Sequence, residues 1–298
     1  MPEVTVVIPA YNAERFIAET LRSVQAQTFR DFKVLVVDDG STDRTAHIVD
    51  AFGPPIRRLH QKNGGVSRAR NAGSAATSGR FIAFLDADDL WDPPKLERQV
   101  ELLRSRPDVG FCYAGIRRIG ADGGVRQVEL AREYEDLCRE LLLNSCVVAS
   151  SSSSIMVRRD VLQRAGGYDP ALSQCADWDF LIRLSLLARG AALPEALVSY
   201  RTFAGNMSSD VSRLERDTFA VLTKFFSGPD GRRYADIQRR CYSNHWMILS
   251  GSYLHAGRLG QSMRALAKGL RLAPANLKRP LGLPLRWMAR GLGRVFAK

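Results

Sequence analysis

The chain has 298 residues, 45% hydrophobic and 25% charged, the balance of a soluble globular protein with room for one large α/β domain plus an appendage, or for two domains. No apolar run approaches the roughly 18–20 residues that span a bilayer. Five scattered cysteines without a Cys-x-x-Cys pair argue against a disulfide framework or a zinc site, and for a reducing compartment.

The net charge of +12 is uneven: all 31 acidic residues precede position 237, and 237–298 carries 12 Lys and Arg with no acid. Such a tail would face an anionic partner such as a membrane, nucleic acid or an acidic protein. Met1-Pro2-Glu3 has no basic segment or small-residue cleavage site, so no signal peptide is expected. Val4-Thr5-Val6-Val7-Ile8-Pro9 is a β-branched strand closed by proline. Phe16, Ile17, Leu21 and Val24 form a helical stripe over 16–29. Phe32-Lys33-Val34-Leu35-Val36-Val37 is a second strand, and Asp38-Asp39-Gly40-Ser41-Thr42-Asp43 is a turn and cap leading into a helix over 45–52. Ile56–Leu59 is a weaker strand, Asn63-Gly64-Gly65 a turn, and Ser67 the expected cap of a helix over 68–76.

Phe81-Ile82-Ala83-Phe84-Leu85 then runs straight into Asp86-Ala87-Asp88-Asp89. An apolar run of that length reads as a buried strand. Asp86 and Asp88 project to the same side of an extended backbone. Carboxylates so crowded repel one another unless a cation lies between them. Hard oxygen ligands suit Mg²⁺ or Mn²⁺ shared with substrate phosphates. The bland alternative is an acidic turn before a helix. Strands alternating with helices argue for a doubly wound, mostly parallel sheet, with ligands outside the carboxyl ends of its strands. Pro9-Ala10-Tyr11-Asn12, Asp38-Asp39 and Asp86-Ala87-Asp88 all follow strands at that edge.

Further along, Val109–Tyr113, Ser154–Val157 and Leu197–Arg201 read as strands, Ser150–Ser154 as a loop beside a polar ligand, and Asp177-Trp178-Asp179 as the opening of a helix. From about 210 onward the chain reads as all helix. Trp246, Leu249, Tyr253, Leu266 and Pro274, with small Ser262 and Gly269, match one tetratricopeptide unit, which implies a helical hairpin. The expected domains are 1–205 (a nucleotide-binding half, 1–107, and an acceptor-binding half, 108–205) and a basic helical extension, 206–298.

Six segments in this order resemble the family 2 glycosyltransferases of GT-A fold: Val6–Asn12, Val36–Asp43, Asn63–Gly73, Leu85–Asp89, Gly166-Gly167-Tyr168-Asp169 and Asp177-Trp178-Asp179. The resemblance covers about residues 3–205. It implies that Pro9, Ala10 and Tyr11 line the base and ribose of a nucleotide. Asp39 would accept the imide hydrogen of a pyrimidine, although it could instead cap the next helix. Gly64 and Gly65 would let backbone approach the nucleotide. Arg70 would face the nucleotide or its phosphates, or else be a solvated helix arginine. Asp88 would bind the metal, Asp86 the ribose or metal-bound water, and Ala87 between them completes the donor-contacting segment. Asp89 is read as structural, a cap for the helix begun by Pro93 and Pro94. Asp177 matches the family's catalytic base, with an N-cap carboxylate as its bland reading. Trp178 is the acceptor-side aromatic or a core residue.

Two positions depart from the family. Ala176 replaces the Glu that usually precedes the base, and Phe203 stands where a His often follows a Tyr-Arg pair and is available to the metal or diphosphate. At the end of the chain, Arg286, Arg290, Arg294 and Lys298 fall on one helical face of 285–298, opposite Leu285, Met288, Leu292, Val295 and Phe296. That helix could lie in an anionic membrane interface or dock on its own domain. The expected activity is inverting transfer of a sugar from a nucleotide-diphosphate donor, UDP before dTDP or GDP, to a glycan or lipid-linked acceptor. The cofactor is Mn²⁺ or Mg²⁺, and the place is the cytoplasm or the inner face of its membrane. The rival readings are a nucleotidyltransferase acting on a sugar phosphate, disfavoured by Pro9-Ala10-Tyr11-Asn12 where a Gly-rich basic loop would stand, and a non-catalytic nucleotide- or nucleic-acid-binding protein, disfavoured by the sparse aromatics among the basic residues of the tail.

Overall fold

The computed structural model describes residues 2–144, 151–203 and 210–275. The expected basic helix over 285–298 lies outside them. The chain divides into two compact units, Met1–Leu141 with Cys146–Asn206, and Leu142–Ser145 with Met207–Lys298.

In the first unit β1 (Val4–Ala10), α1 (Ile17–Gln25), β2 (Phe32–Asp38), α2 (Thr45–Asp50), β3 (Ile56–His60), α3 (Val66–Ala75) and β4 (Phe81–Phe84) alternate as the periodicity predicts. They are followed by β5 (Leu90–Trp91), α4 (Lys95–Ser105), β6 (Val109–Ile119), β7 (Val125–Glu129), α5 (Leu137–Leu142), β8 (Ile155–Arg158), α6 (Arg159–Ala165), α7 (Ala176–Leu187) and β9 (Arg189–Arg201). Among the described residues nine strands form one sheet, ordered β3-β2-β1-β4-β8-β6-β9-β5, with β7 paired to β6. The β3-β2-β1-β4 half is parallel. Beyond it β8 runs antiparallel to both β4 and β6, so the sheet is mixed. β1 is buried along its whole length: β2 and β4 flank it in the sheet and α3 packs on its face at Val7, which suits its β-branched run. α1 buries Ile17, Thr20, Leu21 and Val24, one helical face. α3 lies close on β1 and β2 because Gly73 has no side chain: a Cβ there would stand 2.5 Å from Val7 Cγ1.

This architecture sets the site. Ala10 is opposite Asp38 across β1 and β2, and Val7 is opposite Phe84 across β1 and β4. The Asp39 amide donates to the Ala10 carbonyl (2.8 Å) and the Leu85 amide to the Val7 carbonyl (3.1 Å). The three polar segments after these strands therefore emerge at one edge. The helices α5 and α6 and the strands β5 and β7 escaped the sequence reading, and β9 was read too short. β5 is two residues long, β7 exposes Val125 and Val128 and so has no buried stripe, and β9 begins at Arg189 rather than Leu197.

In the second unit α8 (Val211–Ser227) is capped by Asp210, whose carboxylate accepts from the amides of Ser212 and Arg213. A 3-10 turn over Pro229–Ile237 leads into α9 (Gln238–His255) and α10 (Leu259–Leu272). Val211, Leu249, Tyr253 and Ala265 form its core, with Leu214, Phe219 and Trp246 against them. The helical hairpin expected from the repeat-like spacing is present as α9 and α10. Its small positions sit in the contact: Gly269 meets Met247, and Ser262 exchanges hydrogen bonds with Ser250.

Candidate active site

Asp39 is 3% exposed, and its carboxylate organises the turn before α3. Oδ1 accepts from Gln61 Nε2 (2.6 Å) and the Gly64 amide (2.9 Å), and Oδ2 from the Gly65 amide (2.8 Å). Gly65 has φ +89°, a conformation glycine adopts without strain, and this turns both amides toward the acid. A carboxylate has about four acceptor sites, so one remains on Oδ2 for a ligand. Asp39 caps no helix. Asp43 Oδ1 accepts the Thr45 amide at the start of α2 (2.9 Å), and Asp38 Oδ1 accepts the Ser41 amide (2.9 Å). Pro9 and Ala10 are buried, whereas Tyr11 is 52% exposed, a ring presented at the edge.

The carboxylates after β4 have three different surroundings. Asp86 Oδ1 accepts from Arg70 Nη2 at 2.6 Å. Asp89, 1% exposed, accepts from Ser153 Oγ (2.6 Å) and the Arg201 amide (2.9 Å). Its structural role stands, but it caps no helix: α4 begins at Lys95, and Asp89 instead ties the loop to β9 and the serine run. Asp88 makes no ion pair among the described residues. Burial, then repulsion from Asp86, pushes its carboxyl up to about 6. Asp89 is pushed well above the ordinary carboxylate range by burial and by its neighbours Asp88 and Asp86.

Asp177, on the first turn of α7, joins this cluster from more than eighty residues away. Its Oδ1 accepts from Arg70 Nη1 (2.6 Å) and its Oδ2 from the Ser152 amide (3.2 Å). Burial raises its pKa, with Arg70 opposing the shift and Asp86 adding to it. Arg70 itself is 3% exposed and lies over the Tyr168 ring, 4.8 Å from guanidinium carbon to centroid. Burial works against its charge and is outweighed by Asp177 and Asp86, so the guanidinium stays protonated. The solvated-arginine reading fails, since both arms of its fork hold carboxylates. The expected capping by Ser67 also fails: α3 starts one residue earlier, at Val66, and Ser67 Oγ donates to the Leu172 carbonyl (3.1 Å).

The donor set fits a divalent cation shared with a diphosphate. Asp88 offers an unpaired carboxylate, with Asp86 beside it. Among the described residues no three His, Cys, Asp or Glu side chains are grouped to hold a metal by themselves. Mg²⁺-type sites commonly take one or two carboxylates and fill the rest of the sphere with phosphate oxygens and water. Phe203 adds no ligand. Its ring packs on Phe16 at 5.0 Å, with the Arg15 guanidinium carbon 5.8 Å from its centroid.

The family model for glycosyl transferase family 2 matches residues 5–165, more than half of the chain. The chain belongs to glycosyl transferase family 2. An uncharacterized glycosyltransferase of Nostoc sp. is 32% identical over 68% of this chain and 66% of its own length. TuaG of Bacillus subtilis, a glycosyltransferase assigned by its name to teichuronic acid biosynthesis, is 29% identical over 74% of this chain and 87% of its own. The fold of this glycosyltransferase is GT-A. Staphylococcus aureus TarS 1–349 in complex with UDP-GlcNAc superposes with TM-score 0.61 at 20% identity, over 89% of this chain and 90% of that one. The mannosyltransferase PcManGT of Pyrobaculum calidifontis, in complex with GDP-Man and Mn²⁺, does so with TM-score 0.63 at 19% identity, over 98% and 81%.

Several residues that shape this candidate site were not legible in the sequence. Ser153 joins the Asp86 amide (3.0 Å) to Asp89, and its carbonyl is held by Trp91 Nε1 (2.8 Å). Ser152 holds Asp177 through its amide and the Tyr168 hydroxyl through its own (2.8 Å). Arg201 reaches the Asp88 carbonyl (2.9 Å) and Glu19 (2.7 Å). The serine run was a visible signal, but its partners are not deducible from composition. Trp178 is half-buried, its indole N–H donating to the Leu141 carbonyl (2.9 Å), which fixes the ring whether or not a sugar stacks on it. Ala176 is buried at the start of α7, so that position carries no polar neighbour for Asp177.

Proposed function

We propose that this glycosyltransferase moves a sugar from a UDP-linked donor to an acceptor hydroxyl with inversion at the anomeric carbon. The observation that carries the reading is the convergence of Asp86 and Asp177 on one guanidinium, which brings a carboxylate of α7 beside the carboxylates after β4. Asp177 acts as the base. It takes the proton of the acceptor hydroxyl as that oxygen attacks the anomeric carbon, while the bond to the diphosphate breaks and its electron pair leaves with the diphosphate. Burial, by raising the Asp177 pKa, makes it a stronger base than an exposed carboxylate. Asp88, with Asp86 alongside, would hold Mn²⁺ or Mg²⁺. A bound cation would neutralise the diphosphate and stabilise the charge that develops on the leaving group. Pro9, Ala10, Tyr11, Gly65 and Ala87 line the nucleotide, and the free acceptor site of Asp39 takes the uracil imide. That contact suits the imide of uracil and of thymine alike, and the TarS complex with UDP-GlcNAc makes UDP the first donor to try.

The acceptor is a glycan or a lipid-linked sugar, met on the side of Trp178. No helix among the described residues is long and apolar enough to cross a membrane, and the membrane contact proposed for this enzyme is through the basic residues of 285–298. The experiment is a thermal-shift screen of UDP, dTDP and GDP with and without Mn²⁺, followed by UDP-sugars. A Mn²⁺-dependent shift with UDP is expected, and a metal-independent shift or a preference for GDP would overturn the donor assignment. The membrane assignment predicts co-sedimentation with anionic vesicles at physiological salt. Truncation at Pro280 should abolish that binding, and unchanged binding would reject the tail as its cause.

A further inference from the structure

We infer that Arg70 is a positioning residue for the transfer step, holding Asp177 in register with the donor-side carboxylate Asp86 rather than gripping the donor's phosphates. The inference rests on the reading of Asp177 as the base. Its physical ground is the polar face of α3. Ser67, Arg70 and Asn71, three and four residues apart, share one side of the helix. Ser67 and Asn71 reach the segment that leads into α7, and Arg70 reaches the first turn of α7 itself. Ser67 Oγ donates to the Leu172 carbonyl (3.1 Å), and Asn71 Nδ2 donates to the Tyr168 carbonyl while its Oδ1 accepts the Tyr168 amide (both 2.8 Å). Arg70 Nη1 meets Asp177 at 2.6 Å. α3 thus straps down the base and the approach to it at three points.

The guanidinium has little freedom to do anything else. It is buried, lies on the Tyr168 ring, and sends its other arm to Asp86. Tyr168 is fixed in turn, stacked on Phe180 at 4.2 Å, edge-on to Phe84 at 5.1 Å, and hydrogen-bonded to Ser152. To reach a diphosphate, Arg70 would give up two charge-assisted bonds and leave Asp86 and Asp177 to repel each other. A planar fork is the group that can hold two carboxylates at a set separation. A lysine ammonium is a point charge without that fork.

A crystal structure of the full chain with UDP and Mn²⁺ tests the geometry. Arg70 is expected to keep both carboxylates within about 3.2 Å, and an Arg70 turned onto the phosphates overturns the inference. Kinetics test its consequence, with UDP-GlcNAc, UDP-glucose and UDP-galactose offered in turn as donors. Arg70→Lys should lower kcat about 100-fold, the scale of a misplaced catalytic group, while donor KM and the Kd for UDP stay near wild type. In the Asp177→Asn background the same change should cost almost nothing further, because both act through one carboxylate. Multiplying losses, or weakened UDP binding at unchanged kcat, would reject the positioning role. Wild-type-like turnover by Asp177→Asn would instead reject the base, and it is read without Arg70 being touched. Circular dichroism and thermal melting of Arg70→Lys separate a lost fold from a lost register.

Discussion

Asp38 and Asp39 close β2, and Asp86, Asp88 and Asp89 follow β4 at the same sheet edge, but the two sets meet different surroundings. At β2, burial pushes the Asp38 carboxyl up and is outweighed by hydrogen bonds from Ser41 and by His60, so its pKa falls. Asp39 is wrapped by two glycine amides and Gln61. At β4, Asp88 has other acids for neighbours, and burial and repulsion carry it up to about 6. An acid ringed by donors holds backbone in place. An acid ringed by acids is unstable as an anion until a cation arrives.

That contrast can be broken by experiment. The largest effect should come from Asp88→Ala, which is expected to abolish Mn²⁺-dependent UDP binding in isothermal titration and turnover with it. Undiminished binding would mean that the β4 acids await no cation. Next comes pH, which asks whether burial disfavours charge elsewhere in the same way. His245, buried in the helical unit with its ring against the Leu142 carbonyl (3.0 Å), is lowered to about 4 from 6.5, burial being the main cause. As pH falls through 6.5 the unfolded chain takes up a proton that the folded chain refuses. Stability is therefore full above about 6.5 and is lost progressively toward 4, by up to about 3 kcal/mol. Urea midpoints at pH 7 and pH 4.5 measure this, and His245→Asn should flatten the difference.

Asp39→Ala should cost about 1 kcal/mol, because it removes the acceptor of half-buried Gln61 and Gly64 and of the Gly65 amide, donors that water can partly satisfy, and thermal melting should show it without any metal present. A loss confined to nucleotide affinity would place Asp39 with the waiting acids instead. An effect no larger, and of opposite sign, is expected at Lys95. Its ammonium is fully buried, has no hydrogen-bond partner among the described residues, and lies 3.5 Å from the centroid of the Trp91 ring. Burial lowers its pKa well below the ordinary lysine value, so at neutral pH the unfolded chain binds the proton more readily and the residue costs stability. Lys95→Met should raise stability by about 1 kcal/mol, keeping contact with the Trp91 ring through sulfur. A lower melting temperature would show that the lysine has a favourable role.

The alternation of strands and helices through residue 84 could be read from periodicity because each element there buries a regular face. The polar edge was legible for a related reason: parallel strands in one sheet end on one side, so clusters after β1, β2 and β4 had to meet. The short β5 and the exposed β7 were not legible, since neither carries a buried stripe. Nor was the function of the serine run, whose members are distinguished by their partners and not by their type.

Sequence alone determined the family, the sheet edge and the residue types at the site, because those follow from local pattern and motif order. It assigned Ser67 and Asp89 to helix caps, the commonest local use of such residues, and both turned out to be long-range ties. Only the tertiary structure decided that Arg70 lies between Asp86 and Asp177, 16 and 107 positions away in the chain. Spacing along a helix says which side chains share a face. What that face meets depends on how α3, α7 and the end of β4 pack together.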